Sequence, residues 1–145
     1  MMIRKMTVAD AEAISKIEEQ CFSQPWSKQS FVQAAQDENA LFLVACEEDQ
    51  PVGYAGMYLS APEGEITNVA VMEAFRGKGI AKALMRQQQV QSATFGIDRI
   101  VLEVRVSNAS AIAAYEGTDF VIAGIRKNFY SFPKEDAQIM VWERN

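Results

Sequence analysis

No histidine occurs anywhere in the 145 residues. That absence removes Ser-His-Asp and Cys-His nucleophilic sites, H-E-x-x-H zinc sites and imidazole proton shuttling. Any acid or base must be Glu, Asp, Tyr, Lys or Cys. Cysteine is scarce too: Cys21 and Cys46 lie far apart in apolar surroundings, with no C-x-x-C spacing. This excludes a disulfide framework and a metal site built on thiolates, and both thiols read as core. No apolar run approaches the roughly 18 residues of a membrane helix. The opening MMIRKMTVAD lacks the apolar stretch of a secretory signal, so a cytoplasmic location and no membrane partner are expected. Positive charge is in deficit, with 14 Lys and Arg against 19 Asp and Glu and a formal charge of -5. With no basic stripe to offset that charge, nucleic acid is not expected as a partner. Internal repeats, linkers and low-complexity segments are also missing, so residues 1–145 are expected to form one domain.

What is present is an ordinary globular mixture, 49% hydrophobic and 23% charged, enough for a sizeable core. Thr7 with Asp10 reads as a helix start, and Val8, Ala11, Ile14, Ile17 and Cys21 mark one helical face. A second helix follows Pro25, with Ser27 as cap and Trp26 and Phe31 packing across its first turn. LFLVACEEDQPVGYAGMYLS reads as an antiparallel hairpin, and EITNVAV as a third strand after the turn at 61–64. A helix from about Ile80 to Phe95, stopped by Gly96, is expected to bury Ile80, Ala83, Leu84 and Val90 and to turn Lys82, Arg86, Gln87 and Gln91 to water. IDRIVLEVRVS is a strand with Ile100, Leu102, Val104 and Val106 on one face and Val101, Glu103 and Arg105 on the other. Asn108 caps a short helix, ASAIAAYEG. The remainder reads as strand DFVIAGI, loop KNFYSFPKED and strand AQIMVWE, the last able to pair internally or with another chain. The order implies a mixed α+β sheet layered by helices.

FRGKGIAKALM, residues 75–85, is the stretch that most needs explaining. Gly77 and Gly79 permit backbone conformations closed to other residues, and the free N–H groups of a helix entrance attract anions. Arg76 and Lys78 add positive charge, so phosphate or pyrophosphate is the natural occupant. The spacing fits neither G-x-x-x-x-G-K-[ST] nor G-x-G-x-x-G, because Lys82 stands where a third glycine would be. An ordinary basic turn before an ordinary helix remains the alternative.

R-x-x-G-x-A, read as Arg76, Gly79 and Ala81 between strand and helix, resembles the acyl-CoA loop of the GCN5-related N-acetyltransferases. PWS, NVAV, LEVRVSNASAIAAYE and RKNFY resemble, within that superfamily, the bacterial ribosomal-protein alanine N-acetyltransferases. The likeness spans nearly the whole chain. It departs in having Thr118-Asp119-Phe120 where the family usually writes LGF. The resemblance implies a central twisted sheet with helices on both faces, acetyl-CoA as acetyl donor, no metal, and a peptide or protein N-terminus as acceptor. It further implies that the backbone of Val69, Ala70 and Val71 on a bulged strand holds the pantetheine arm and polarises the thioester. Arg76, Gly77, Lys78, Gly79, Ile80, Ala81 and Lys82 would hold the diphosphate. Asn108 and Tyr115 would lie near the thiol, and Tyr130 on the peptide side.

Direct attack of an amine on a thioester needs a neutral amine, a polarised carbonyl and a proton for the thiolate. Glu103, if desolvated, would rise from about 4.3 toward a useful base, and Tyr115 could protonate the thiolate. Glu103 could instead pair with Arg105 or another cation, and Tyr115 could be a rim residue of the core. An α-amine, of pKa about 8, costs roughly 1 kcal/mol to deprotonate at neutral pH, whereas lysine, near 10.4, costs more than about 4. The expected activity is therefore acetylation of a protein α-amine, by resemblance the N-terminal alanine of small-subunit ribosomal protein eighteen. A small-amine acetyltransferase and a non-catalytic acyl-CoA sensor stay open.

Overall fold

Alternating and fully apolar runs dominate residues 40–71, and they form the centre of a seven-stranded sheet. The computed structural model describes residues 1–145. In chain order the elements are β1 (Met2–Lys5), α1 (Ala11–Cys21), α2 (Lys28–Gln36), β2 (Ala40–Glu47), β3 (Gln50–Ser60), β4 (Glu63–Val71), α3 (Ile80–Gln91), β5 (Arg99–Arg105), α4 (Ala109–Glu116), β6 (Val121–Ser131) and β7 (Lys134–Glu143). The sheet order is β1-β2-β3-β4-β5-β7-β6. All neighbours are antiparallel except β4 and β5, which are joined through α3 and run parallel.

Two apolar layers cover the sheet. Leu41, Leu43, Met57, Leu84, Ile100, Leu102 and Met140 belong to the layer under α3 and α4. Ile14, Ile17, Phe31, Phe42, Val44 and Tyr54 belong to the layer under α1 and α2. Strand β2 feeds both layers in alternation, which is why its apolar run is continuous. The expected caps form: Ser27 accepts from the Ser30 N–H at 3.2 Å, and Asn108 from the Ala111 N–H at 3.2 Å. Trp26 and Phe31 pack with centroids 5.5 Å apart, and Gly96 takes φ 73° after a 3-10 turn that ends α3.

Several expectations are corrected. Strand β1 was not anticipated; four residues of mixed polarity carry too little periodicity. Of residues 127–136, only Phe132 and Pro133 form a turn; the rest are the far ends of β6 and β7, whose register slips between Arg126 and Tyr130. Asn128 there has φ 55°, and its N–H donates to the Asp136 carboxylate at 2.8 Å, so a bulge gave the strand a turn-like composition. The last strand, β7, is interior and β6 is the edge. Val90 is exposed, and Gln88 is fully buried. The Gln88 amide donates at 2.9 Å to the carbonyls of Leu41 and Ala55, so a polar side chain occupies α3's inner face. Val106 lies past the end of β5 and is exposed.

Asp10 ties β1 to the helical layer. Its buried carboxylate takes two bonds from the Arg4 guanidinium, at 2.7 and 2.8 Å, and one from the Thr7 N–H at 2.8 Å. Arg4 holds the carboxyl below its ordinary range. A carboxyl depressed in the folded state stabilises the fold above its unfolded value and loses that contribution as pH falls through the folded value. Asp10→Asn is therefore expected to cost about 1.5–3 kcal/mol at pH 7. In urea titrations the gap from the parent protein narrows from roughly pH 4 downward.

Candidate active site

The site begins with a separation of two strands. Strands β4 and β5 pair only from Glu63 with Arg99 to Ile66 with Leu102. Beyond that point β4 stays with β3, β5 stays with β7, and the two diverge. The register of β3 and β4 slips between Ile66 and Asn68, leaving Thr67 as an extra residue. The bulge turns β4 away just where pairing stops. From Asn68 to Val71, the edge of β4 that faces β5 has no strand partner.

This gap opens into a cleft of about 670 Å³, lined by Val69, Ala70 and Val71, by the glycine turn and start of α3, and by Asn108 and Tyr115 of the α4 region. Gly77 and Gly79 have φ 77° and 79°, and Gly79 is the residue that enters α3. A Cβ at either would meet nothing within 4 Å, so glycine serves the left-handed backbone rather than a tight fit. None of the N–H groups of Gly77 to Lys82 bonds to a backbone carbonyl; the first helical bond is from Ala83 to Gly79, at 3.0 Å. The turn is thus a row of free donors at the positive end of α3.

The charged side chains of this loop are arranged differently from expectation. Arg76 lines the cleft, but its guanidinium donates to the Val71 carbonyl at 3.0 Å and to the Cys21 Sγ at 3.3 Å. Lys78 does not line the cleft; its ammonium lies over the Phe75 ring, 5.2 Å from the centroid. Lys82 does line it, and lies across Gly117, where a Cβ would come within 2.8 Å of Lys82 Cε and 3.0 Å of Nζ. The Thr118-Asp119 departure is accommodated locally: Asp119 takes the left-handed conformation, φ 71°, and pairs with Arg86 at 2.9 Å.

Tyr115 is buried on the cleft wall, 7% exposed. Burial, with Tyr130 adding to it, pushes its phenol well above the ordinary 10. Glu103 is on the opposite face of β5 from Leu102 and Val104 and does not line the cleft. Its carboxylate is 3.5 Å from the exposed Arg126 guanidinium. Arg105, the alternative partner, instead pairs with Glu135 at 3.2 Å and lies over the Tyr130 ring at 4.2 Å. Tyr130 is also outside the cleft, and burial raises its phenol while Arg105 opposes the rise. Glu103, Arg126, Arg105 and Tyr130 thus form a polar face on the side of the sheet away from α3.

That face has two rims. One is the loop between α1 and α2, residues 22–27; the other is the turn between β6 and β7, whose Phe132 and Pro133 carbonyls accept from Arg105 at 3.0 and 2.8 Å. The rims meet where Ser23 Oγ donates to the Phe132 carbonyl at 2.7 Å. Cys21 is not a core thiol: it lines the cleft with Phe22. Cys46 is buried as expected. Ala111, Ala113 and Ala114 also line the cleft and were not singled out from sequence. The small residues of ASAIAAYE are the signal that could have marked them.

A cleft between splayed parallel strands, closed by a glycine turn at a helix entrance, is the arrangement that the resemblance to the N-acetyltransferases implies. The acetyltransferase (GNAT) family model matches residues 11–120, and the chain belongs to that family. It is similar to the ribosomal protein bS18-alanine N-acetyltransferase of Salmonella typhimurium, 34% identical over 137 residues, with 93% of this chain and 92% of that protein covered. The crystal structure of the corresponding Escherichia coli enzyme superimposes with a TM-score of 0.88 at 30% identity, over 98% of this chain and 92% of that one. Arabidopsis thaliana NAA60, crystallised in complex with acetyl-CoA, shares the fold at 19% identity and a TM-score of 0.86, over 98% of this chain and 97% of that one. No helix is long and apolar enough to cross a membrane.

The glycine turn can be tested directly. Gly79→Trp would combine a left-handed conformation costing about 1–2 kcal/mol with a ring in the cleft. Calorimetric titration should show acetyl-CoA affinity down at least tenfold; affinity within twofold of the parent would remove the turn from the site.

Proposed function

We propose that this protein transfers an acetyl group from acetyl-CoA to the α-amine of a protein N-terminus, and that its acceptor is the N-terminal alanine of ribosomal protein bS18. The observation that carries the donor half is the unpaired edge of β4 beside the free N–H row of the glycine turn. The first suits an amide-rich arm that can complete the sheet ladder, and the second suits a diphosphate. The acceptor half rests on the relatives and on the polar face that lies across the sheet from the cleft.

In this reading the backbone of Val69 to Val71 holds the pantetheine and an N–H polarises the thioester carbonyl. Gly77 to Lys82 hold the diphosphate mainly through backbone N–H groups. Lys82 adds its charge, whereas Arg76 stiffens the corner between β4 and α1, and Lys78 contributes long-range charge only. Asn108 lines the thiol end while capping α4. The amine approaches from the face bearing Glu103, which accepts its proton directly or through water. The amine then attacks the carbonyl carbon, the carbon–sulfur bond breaks, and Tyr115 passes its proton to the departing sulfur.

Burial makes Tyr115 a weaker acid than free tyrosine, but it raises a thiol in the same cleft as well, so the two remain comparable. It also keeps Tyr115 protonated throughout the neutral range. Tyr130 flanks the acceptor, with Arg105 stacked on its ring to hold it in place.

The deciding experiment is CoA release with a peptide bearing the bS18 N-terminus, beside a lysine-only peptide and a polyamine. Release confined to the α-amine peptide is the expected result; release only with the polyamine would move the function to small amines, and none with any would favour a sensor. Tyr115→Phe should lower kcat by roughly 10²–10⁴ with acetyl-CoA affinity little changed. Because the Tyr115 phenol sits above 10, the parent should show no alkaline loss from this group below about pH 10. Glu103→Gln should lower kcat and flatten the acid limb of the pH profile; an unaltered limb would take Glu103 out of the base role.

A further inference from the structure

Glu18, in the last turns of α1, is 1% exposed and takes part in none of the chain's ion pairs. Every group that reaches it is a neutral donor. The Tyr54 hydroxyl of β3 donates to one carboxylate oxygen. The Asn68 amide of β4 donates at 3.2 Å, and the Trp26 backbone N–H donates at 2.9 Å. An isolated buried carboxylate is expensive, and an aliphatic residue beside Ile14 and Ile17 would pack there without that cost. What an aliphatic residue cannot do is accept from three separate elements at once.

The three donors sit at informative places. Asn68 directly follows the Thr67 bulge and precedes Val69, so its position fixes how β4, still paired with β3, turns away from β5. Trp26 ends the loop between α1 and α2, and its ring is held by Phe31 at 5.5 Å and Phe42 at 6.0 Å. The same loop is fastened at its other end by Ser23 to the Phe132 carbonyl. The other polar ties between this end of α1 and β4, from Cys21 to the Val71 carbonyl at 3.8 Å and from Arg76 to both, lie at the last residue of β4, so Glu18 supplies the polar link at the bulge itself.

We propose that Glu18 is a positioning residue that locks the loop over the acceptor face to the bulge of β4, and so sets the distance between the acceptor amine and the thioester. This rests on the acetyltransferase reading of the cleft. Glu18 touches neither substrate; it acts through Asn68 and Trp26. It also couples the two seats, since a donor molecule lying along β4 stiffens the strand that Asn68 belongs to.

Glu18→Gln tests this with shape retained, because one of the two acceptor oxygens becomes an NH2 group and the side chain can no longer accept from Tyr54, Asn68 and the Trp26 N–H as the carboxylate does. Amide exchange should show the Trp26 N–H exchanging at least tenfold faster than in the parent. For the amine that the parent acetylates fastest, kcat/KM for acceptor should fall at least tenfold, while KM for acetyl-CoA stays within threefold. Tyr54→Phe, which removes one donor and leaves the carboxylate, should shift both readouts in the same direction by less. Faster exchange with unchanged acceptor kinetics would overturn the proposal, as would parallel losses in thermal stability, acetyl-CoA binding and turnover. One arm needs no acceptor: acetyl-CoA should slow Trp26 exchange in the parent and fail to do so in Glu18→Gln. A parent that lacks this response overturns the coupling. A parent that acetylates no amine overturns the function proposed above, and the exchange arm still decides the role of Glu18.

Discussion

The structure turns on the place where β4 and β5 stop pairing. A sheet interior ordinarily satisfies every backbone N–H and carbonyl with its neighbour. Here four paired positions, Glu63 to Ile66, give way to an unpaired edge from Asn68 to Val71 in the middle of a seven-stranded sheet. The bulge at Thr67 makes the departure possible, and the antiparallel partners β3 and β7 make it tolerable, because each diverging strand keeps a full ladder on its other side. The glycine turn, α3 and α4 are then arranged around the gap.

At the glycine turn the cleft presents more backbone N–H groups than free side-chain charge. Arg76 is spent on Val71 and Cys21, and Lys78 lies on Phe75. What is left facing the cleft is a row of N–H groups with a helix dipole behind it, and Lys82 kept close by the absence of a side chain at Gly117. Fixed donors of this kind lose little conformational freedom when an anion binds, whereas a long cationic side chain loses much. The missing histidine has a parallel consequence: in the function proposed above, proton transfer is assigned to Tyr115 on the cleft wall and Glu103 on the opposite face of the sheet, which can meet only through the gap.

Much of the element order was legible because its signals are local. Ser27, Asn108 and Gly96 act within a few residues of themselves, and the two-residue alternation in β5 reports one buried face whatever covers it. The glycine turn was legible for the same reason. The errors came where a distant partner overrules the local pattern. Gln88 is buried because two carbonyls of the sheet await it, and Val90 is left outside in consequence. Cys21 looked like core because α1 is amphipathic, yet α1 ends at the cleft. The segment 127–136 looked like a loop because a bulge borrows the residues of a turn.

The sequence by itself determined the helices, most strands, the glycine turn at the entrance of α3 and the exclusion of histidine chemistry, since each depends on residue type and spacing along a few turns of chain. Only the tertiary structure decided which face Glu103 shares with Arg126 and Tyr130, which cations remain free, and that Glu18 is buried among three donors. Those facts depend on elements distant in sequence being brought to contact distance: Arg126 is 23 positions from Glu103, and Tyr54 and Asn68 are 36 and 50 from Glu18. Register and strand order, and not the composition of any one segment, fix which side chains meet.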